Sequence, residues 1–237
     1  MIETVTAGEA GGVDAVHDIP LFAGLAAVTR ELVGRSLRAR RFRRGEVIYH
    51  VGDPADVLFI VASGSVKISL PSETGDEAIL ATPQRGDFFG ELALIDGGPR
   101  VATATALEPT ETLVLPGERF RELISDEPVI REALLRGLVK QVRRLTSHVE
   151  ELHFLDIAGR LAARLARLAE EQGRRQPDGS IRLDAPLTQS DLAAMVGCTR
   201  QSVNKVLGLF VADRLILVER DAIVVPDIGR LVRASHR

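Results

Sequence analysis

A stripe of six apolar residues in one segment constrains this chain more than any other feature. Between Glu127 and His153, residues Leu135, Leu138, Val142, Leu145, Val149 and Leu152 alternate in steps of three and four. That spacing puts all six on one face of an α-helix. The stripe is narrow, as in a coiled-coil seam, and unlike the broad face of a helix sunk in a core. Arg136, Lys140, Gln141, Arg143, Arg144, Glu150 and Glu151 fall on the other faces and suit water. Pro128 stands in the first turn, where its missing N–H costs nothing. At roughly 1.5 Å per residue the helix is about 39 Å long. Residues 127–153 therefore predict a dimerisation helix paired with its copy in a second chain, and a shaft between two segments of different texture.

The segment before the shaft reads as strands. After a loose tail at 1–18 and a helical lead-in from Ile19 to Leu37, the period changes at Arg40. Val47–Tyr49, Val57–Val61, Val66–Leu70, Ala78–Leu80, Ala102–Ala106 and Glu111–Leu115 are short apolar or alternating runs. Gly45, Gly52, Gly64, Gly75, Gly86 and Gly90 stand between them and supply tight corners. Regular short strands with such turns predict a closed β-roll or jelly roll over 19–126, ending in a short helix at Glu118–Ser125.

The segment after the shaft, 154–237, reads as short helices with a small sheet. Asp156 predicts an N-cap for a helix over Ile157–Gln172, followed by a loop at Gly173–Gly179 and a strand at Ser180–Leu183. Thr188 and Asp191 form a capping box that opens a helix to about Val196. Gly197-Cys198 turns, and Thr199 caps a further helix to about Phe210. Leu192, Ala193 and Val196 on the first helix are placed to face Val203, Val206 and Leu207 on the second. Strands at Leu215–Val218 and Ile223–Val225 flank Glu219–Asp221, and Asp227 caps a last turn. The whole is an α+β chain.

Two constellations carry chemistry. The first is the run Arg85 to Thr103 (RGDFFGELALIDGGPRVAT). Gly90 lets backbone approach a ligand, and the N–H groups of Leu92 and Ala93 are able to face an anion. Glu91 offers a carboxylate to a pair of hydroxyls, and Arg100 offers a fork to a phosphate. One acid and one Arg, nine residues apart on a turn and a strand, meet the needs of a nucleotide monophosphate. The second is Leu187 to Phe210, whose last helix exposes Arg200, Gln201, Asn204 and Lys205 near its N-terminal end, where a recognition helix meets base edges.

Bulk properties narrow the class. The net charge of −3 conceals an acidic part before residue 155 and a basic part after it, which fits a polyanion partner for the latter. One cysteine, Cys198, forms neither an internal disulfide nor a cysteine-ligated cluster, so a cytoplasmic protein is expected. His17, His50, His148, His153 and His236 lack zinc spacing, so no metal is expected. No apolar run approaches the roughly 18 residues of a membrane span, and Met1–Asp18 lacks an export signal's basic start and apolar core. No nucleophile–base pair or P-loop appears, so an enzyme is not expected.

At these residues the chain resembles regulators of the cyclic AMP receptor protein and fumarate–nitrate regulator family, from about Pro20 to Leu231. The resemblance implies a homodimeric transcription regulator with a cyclic-nucleotide-binding β-roll and a winged helix–turn–helix. It implies Glu91 on the ribose, Arg100 on the cyclic phosphate, Ile68 and Leu80 near the base, and cyclic AMP as the allosteric effector. It implies double-stranded DNA with a palindromic site, and RNA polymerase, as partners. By the same resemblance Arg200 would take guanine, Gln201 stands where the receptor has a Glu, and Lys205 replaces an Arg; Thr188, Gln189 and Ser202 are candidates for phosphate contact. Two positions depart from the receptor. Val101 has no hydroxyl where the receptor has Ser or Thr after the Arg. Leu145-Thr146 stands for a Thr-Ser pair, leaving Thr146 as the donor to an adenine edge. Cyclic di-GMP, a haem-bound gas, or activity without ligand therefore stay open as alternatives.

Overall fold

The computed structural model describes residues 19–72, 76–184, 187–219 and 222–235. The tail at 1–18, Gly75, Asp221 and His236 lie outside these residues. The chain forms two compact units: one runs to Ser72 and resumes over Ile79–Val142, and the other includes the described residues from Arg143 on.

In the first unit, a 3-10 turn (Pro20–Phe22) and α1 (Ala27–Ser36) precede eight strands. These are β1 (Arg38–Phe42), β2 (Val47–Tyr49), β3 (Val57–Ser63), β4 (Val66–Pro71), β5 (Glu77–Ala81), β6 (Phe88–Phe89), β7 (Thr103–Ala106) and β8 (Thr110–Pro116). A short α2 (Glu91–Asp96) interrupts them after β6, and α3 (Gly117–Asp126) closes them. They form two four-stranded sheets, in the orders β1-β8-β3-β6 and β2-β7-β4-β5.

β3 explains why the strand run Val57–Val61 is apolar throughout. Successive side chains point to opposite faces. Leu58 and Ile60 pack with Phe22, Val33, Leu115, Phe120 and Ile130 on the helical side. Phe59 and Val61 pack with Val66, Phe89, Ala104 and Val114 inside the roll. Both faces are buried, so no polar position alternates in.

The lead-in is a 3-10 turn and a separate helix, not one continuous helical stretch, and Leu37 is already extended. β1 was hidden in the sequence because its residues, Arg-Ala-Arg-Arg-Phe, carry little apolar signal. It is held instead by pairing along β8, from Arg38 opposite Val114 to Phe42 opposite Thr110. β2 pairs with β7 through a bulge: Val47 opposes Thr105 but Tyr49 opposes Ala104. A bulge of this kind redirects the side chain beyond it.

The long helix, α4, spans Pro128–Phe154. Its roll-facing side within the first unit is small at Gly137, where a methyl would lie 3.1 Å from Phe88 Cζ. Leu134 is buried and Leu138 is half-buried against the helical-side core. Leu138 is thus turned inward, and its expected place in the seam is taken by Val139. The exposed apolar line reads Leu135, Val139, Val142, Leu145, Val149 and Leu152, each between 42% and 62% exposed.

In the second unit, α5 (Ile157–Gln172) starts at Asp156, whose Oδ1 accepts from Gly159 N at 2.7 Å. Then come β9 (Arg174–Arg175), β10 (Ile181–Leu183), α6 (Gln189–Val196), α7 (Arg200–Ala212), β11 (Leu217–Val218), β12 (Ile223–Val225) and α8 (Ile228–Ala234). The small sheet has the order β11-β12-β10-β9. β9 falls inside the stretch expected as a loop; its two arginines are exposed and give no period-two signal. Where α4 enters this unit, Glu151 accepts from Arg167, and buried Arg164 lies 3.3 Å from His148 Nδ1. Burial pushes Arg164 down to about 10, and the charges of Arg144 and Arg167 add to that.

Candidate functional site

The first site is built around Gly90. It caps α2 at φ +83°, in the left-handed region. A methyl there would also come 2.4 Å from Arg100 Nη1. Glycine is needed on both counts: for the backbone, and so that the guanidinium can lie against it. Glu91 is the first residue of α2, not a turn residue. Arg100 lies in the connection before β7, not on a strand. The change brings both charges into the roll, and each is 3% exposed.

Arg100 Nη1 donates to Gly90 O at 2.7 Å, and Nη2 donates to Val57 O at 2.8 Å. Its Nε is buried and has no partner among the described residues. The guanidinium carbon lies 4.4 Å above the centre of the Tyr49 ring and 5.6 Å from that of Phe59. Phe59 and Phe89 stack with centroids 5.2 Å apart, and Tyr49 leans on both. Arg100 therefore sits in an aromatic cage, a setting that favours a cation. Burial still pulls its guanidinium below the usual value, against the charges of Tyr49, Asp56, Glu91 and Asp53.

Glu91 Oε1 accepts from Gln141 Nε2 on α4 at 2.9 Å. Burial pushes the Glu91 carboxyl up, and its own backbone N–H, Gln141 and Arg100 only partly offset this. Gln141 is exposed, as its place on a water-facing side of the helix predicts, and from there, one turn beyond Gly137, its amide also reaches the acid. Leu92 and Ala93 complete the first turn of α2, where N–H groups lack an intrahelical acceptor. Ala93 is buried and Leu92 is 36% exposed. Val101 is 53% exposed beside Arg100. Ile68 is half-buried against the inner core, and Leu80 is half-buried on β5. Thr146 belongs to the part of α4 in the second unit and is exposed. Tyr49, Phe59 and Gln141 were not picked out from the sequence. The one available signal was that Tyr49 is the sole tyrosine of the chain.

The second site is on α6 and α7. The Thr188 capping box is present: Thr188 Oγ1 accepts from Asp191 N at 3.1 Å, and Asp191 Oδ2 accepts from Thr188 N at 2.8 Å. Gly197, at φ +68°, ends α6. Thr199 Oγ1 then accepts from Ser202 N at 3.2 Å and starts α7. Leu192, Ala193, Val196, Val203, Val206 and Leu207 are all buried. Arg200, Gln201, Asn204 and Lys205 are exposed along one side of α7, with Ser202 half-buried. Gln189 Nε2 donates to Asn204 Oδ1 at 3.3 Å, tying the two helices on the exposed side.

Among the described residues no cluster of His, Cys, Asp and Glu is placed to hold a metal, and no helix is long and apolar enough to cross a membrane.

Residues 39–127 match the family profile for a cyclic nucleotide-binding domain, and residues 159–234 match the profile for a Crp-like helix-turn-helix domain. The chain is 34% identical over 216 residues to the CRP-like cAMP-activated global transcriptional regulator of Mycobacterium tuberculosis, covering 91% of this chain and 96% of that protein. It is 30% identical over 191 residues to the global nitrogen regulator of Synechococcus elongatus, covering 80% and 86%. Among solved structures it is similar to the c-di-GMP-responsive global regulator CLP of Xanthomonas campestris, at 27% identity and a TM-score of 0.70, covering 81% and 95%.

Proposed function

Because the chain belongs to the CRP/FNR family of transcriptional regulators, we propose that it is a homodimer whose DNA affinity is set by cyclic AMP bound in the β-roll. The family assignment carries DNA binding by the helix–turn–helix and a cyclic-nucleotide-binding domain. The proposal adds the ligand, the dimer and the palindromic site, with RNA polymerase as the partner at the promoter.

One observation supports the ligand most: Glu91, the residue after Gly90, and Arg100, whose Nη1 lies against Gly90, are both buried in the roll, and a sugar diol and a phosphate would need an acid and a guanidinium. Arg100 Nε, buried without a partner among the described residues, is a donor that a phosphate oxygen would satisfy. Glu91 would accept from the ribose hydroxyls. The name of the 34%-identical relative points to cyclic AMP. The exposed apolar line on α4 supports the dimer, since a coiled-coil partner would cover it.

Gln141 gives the site a lever. It already ties Glu91 to α4, so a ligand that engages Glu91 acts on the helix through that bond. In the dimer the two α4 helices are paired, and the recognition helices α7 come to lie about 34 Å apart, one turn of DNA. The ligand shifts this arrangement only as far as it binds the DNA-competent state more tightly.

A second reading has its own observation. Both Arg100 terminal nitrogens are bound to backbone carbonyls, so the cassette also serves as an internal strut of a regulator active without ligand. Calorimetry separates the two. Cyclic AMP is expected to bind the wild-type chain, and Arg100→Gln is expected to lose that affinity while leaving a folded dimer. Equal affinity in both proteins would end the phosphate role, and no heat from the wild type would favour the strut.

A further inference from the structure

Val101 leaves the site without the side-chain hydroxyl expected beside Arg100, and it is 53% exposed. A hydroxyl is nevertheless present on the other wall. Tyr49 ends β2, and the bulge in the β2–β7 pairing brings it opposite Ala104, whose small side chain is fully buried inside the roll. The Tyr49 ring leans on Phe59 and Phe89 and lies under the guanidinium of Arg100. That packing uses the faces of the ring and leaves the oxygen at its far end.

The position of that oxygen follows from Gly90. A methyl built on Gly90 would lie 3.6 Å from the Tyr49 hydroxyl and 2.4 Å from Arg100 Nη1. The phenol and the guanidinium therefore border one small space beside Gly90, the residue before Glu91. With glycine at this position, Arg100 Nη1 lies against the backbone there, close to the phenol oxygen. Burial holds the phenol well above its usual value, which keeps it protonated and a donor; the charge of Glu91 acts the same way, and that of Arg100 opposes it. An O–H aimed at an anion is a charge-assisted hydrogen bond, stronger than a neutral one.

We infer that Tyr49 is a further ligand-contacting residue of the roll: its hydroxyl donates to the cyclic phosphate that Arg100 takes, in place of the hydroxyl that Val101 lacks. This rests on the nucleotide reading of the site. It assigns two jobs to one side chain, with the ring stacking on Arg100 and the oxygen reading the phosphate. It also makes phosphate recognition in this chain depend on β2, far in sequence from the Gly90–Val101 segment.

Tyr49→Phe tests it, because Phe keeps the ring and removes only the oxygen. Titration calorimetry would use the cyclic nucleotide, among cyclic AMP, cyclic GMP and cyclic di-GMP, that the wild-type chain binds most tightly. Tyr49→Phe is expected to bind it roughly ten- to a hundredfold more weakly, the scale of one charge-assisted hydrogen bond, with the ligand-free melting temperature retained. Tyr49 is the only tyrosine and the chain has no tryptophan, so intrinsic emission reports this side chain alone. Its intensity is expected to change when the same nucleotide saturates the wild type. Wild-type affinity in Tyr49→Phe, or emission unmoved at saturation, would overturn the assignment. A wild-type chain that binds none of the three nucleotides would overturn the nucleotide reading itself, and this inference with it.

Discussion

Shortening Leu145 to alanine gives a graded test of the dimer seam. Leu145 is 48% exposed in the single chain, so about half of its side chain is left to be covered by a partner. Truncating a fully buried leucine costs roughly 2–5 kcal/mol. Half of that, about 1–2.5 kcal/mol, belongs to the partner contact. A two-fold dimer loses it twice, once for each copy, for a total of roughly 2–5 kcal/mol. At about 1.4 kcal/mol per factor of ten, the dimer dissociation constant rises at least about thirtyfold. Alanine is the best helix former, so α4 itself is not weakened. Lys140→Ala, on an exposed face away from the apolar line, is the control. Sedimentation velocity across a concentration series reads the constant directly. An unchanged constant for Leu145→Ala, or an equal change for Lys140→Ala, would refute the seam.

The remaining expectations concern the two sites. Burial raises the folded-state pKa of Glu91 above its unfolded value near 4.3. The folded chain therefore holds that proton more tightly. The associated stability is full below the unfolded value and is lost as pH rises through the folded one. Glu91→Gln is thus expected to melt higher than the wild type at neutral pH, with the gap closing near pH 4; thermal scans at both pH values check this, and a constant gap would contradict it. The same variant is expected to lose cyclic nucleotide affinity by calorimetry. Arg200→Ala is expected to cost about 1–3 kcal/mol of site-specific DNA binding, the worth of a bidentate contact. Weak, salt-sensitive binding to any duplex should persist, and anisotropy titrations at two salt concentrations separate the two components.

Patterns with a strong period were legible in the sequence. The apolar stripe found α4, the glycine-spaced runs found six of the roll's strands, and the Thr188–Asp191 box fixed the start of α6. Each is a local rule that places its element from nearby residues alone, although packing then exchanges Leu138 for Val139 within the stripe. What escaped was set by pairing or by packing across the chain. β1 is an arginine-rich strand made by its partner β8. Leu138 and Val139 are neighbours in sequence, and only the core beneath α4 decides which of them turns inward. Charge placement was the least legible. Arg100 looked like a free fork, yet its terminal nitrogens hold the carbonyls of Gly90 and Val57, forty-three residues apart in the second case. Gln141 is solvent-facing as its helical position predicts, yet its amide also reaches Glu91, fifty residues away in the chain.

The central claim is that a nucleotide at Glu91 and Arg100 alters how α7 meets DNA. The most direct measurement is anisotropy of a labelled duplex, selected from a random pool by the full chain in the presence of cyclic AMP, titrated with and without that nucleotide. Cyclic AMP is expected to tighten wild-type binding by about five- to a hundredfold, the usual span of an allosteric coupling, and to leave Arg100→Gln unmoved. Equal wild-type affinity in both titrations would contradict it.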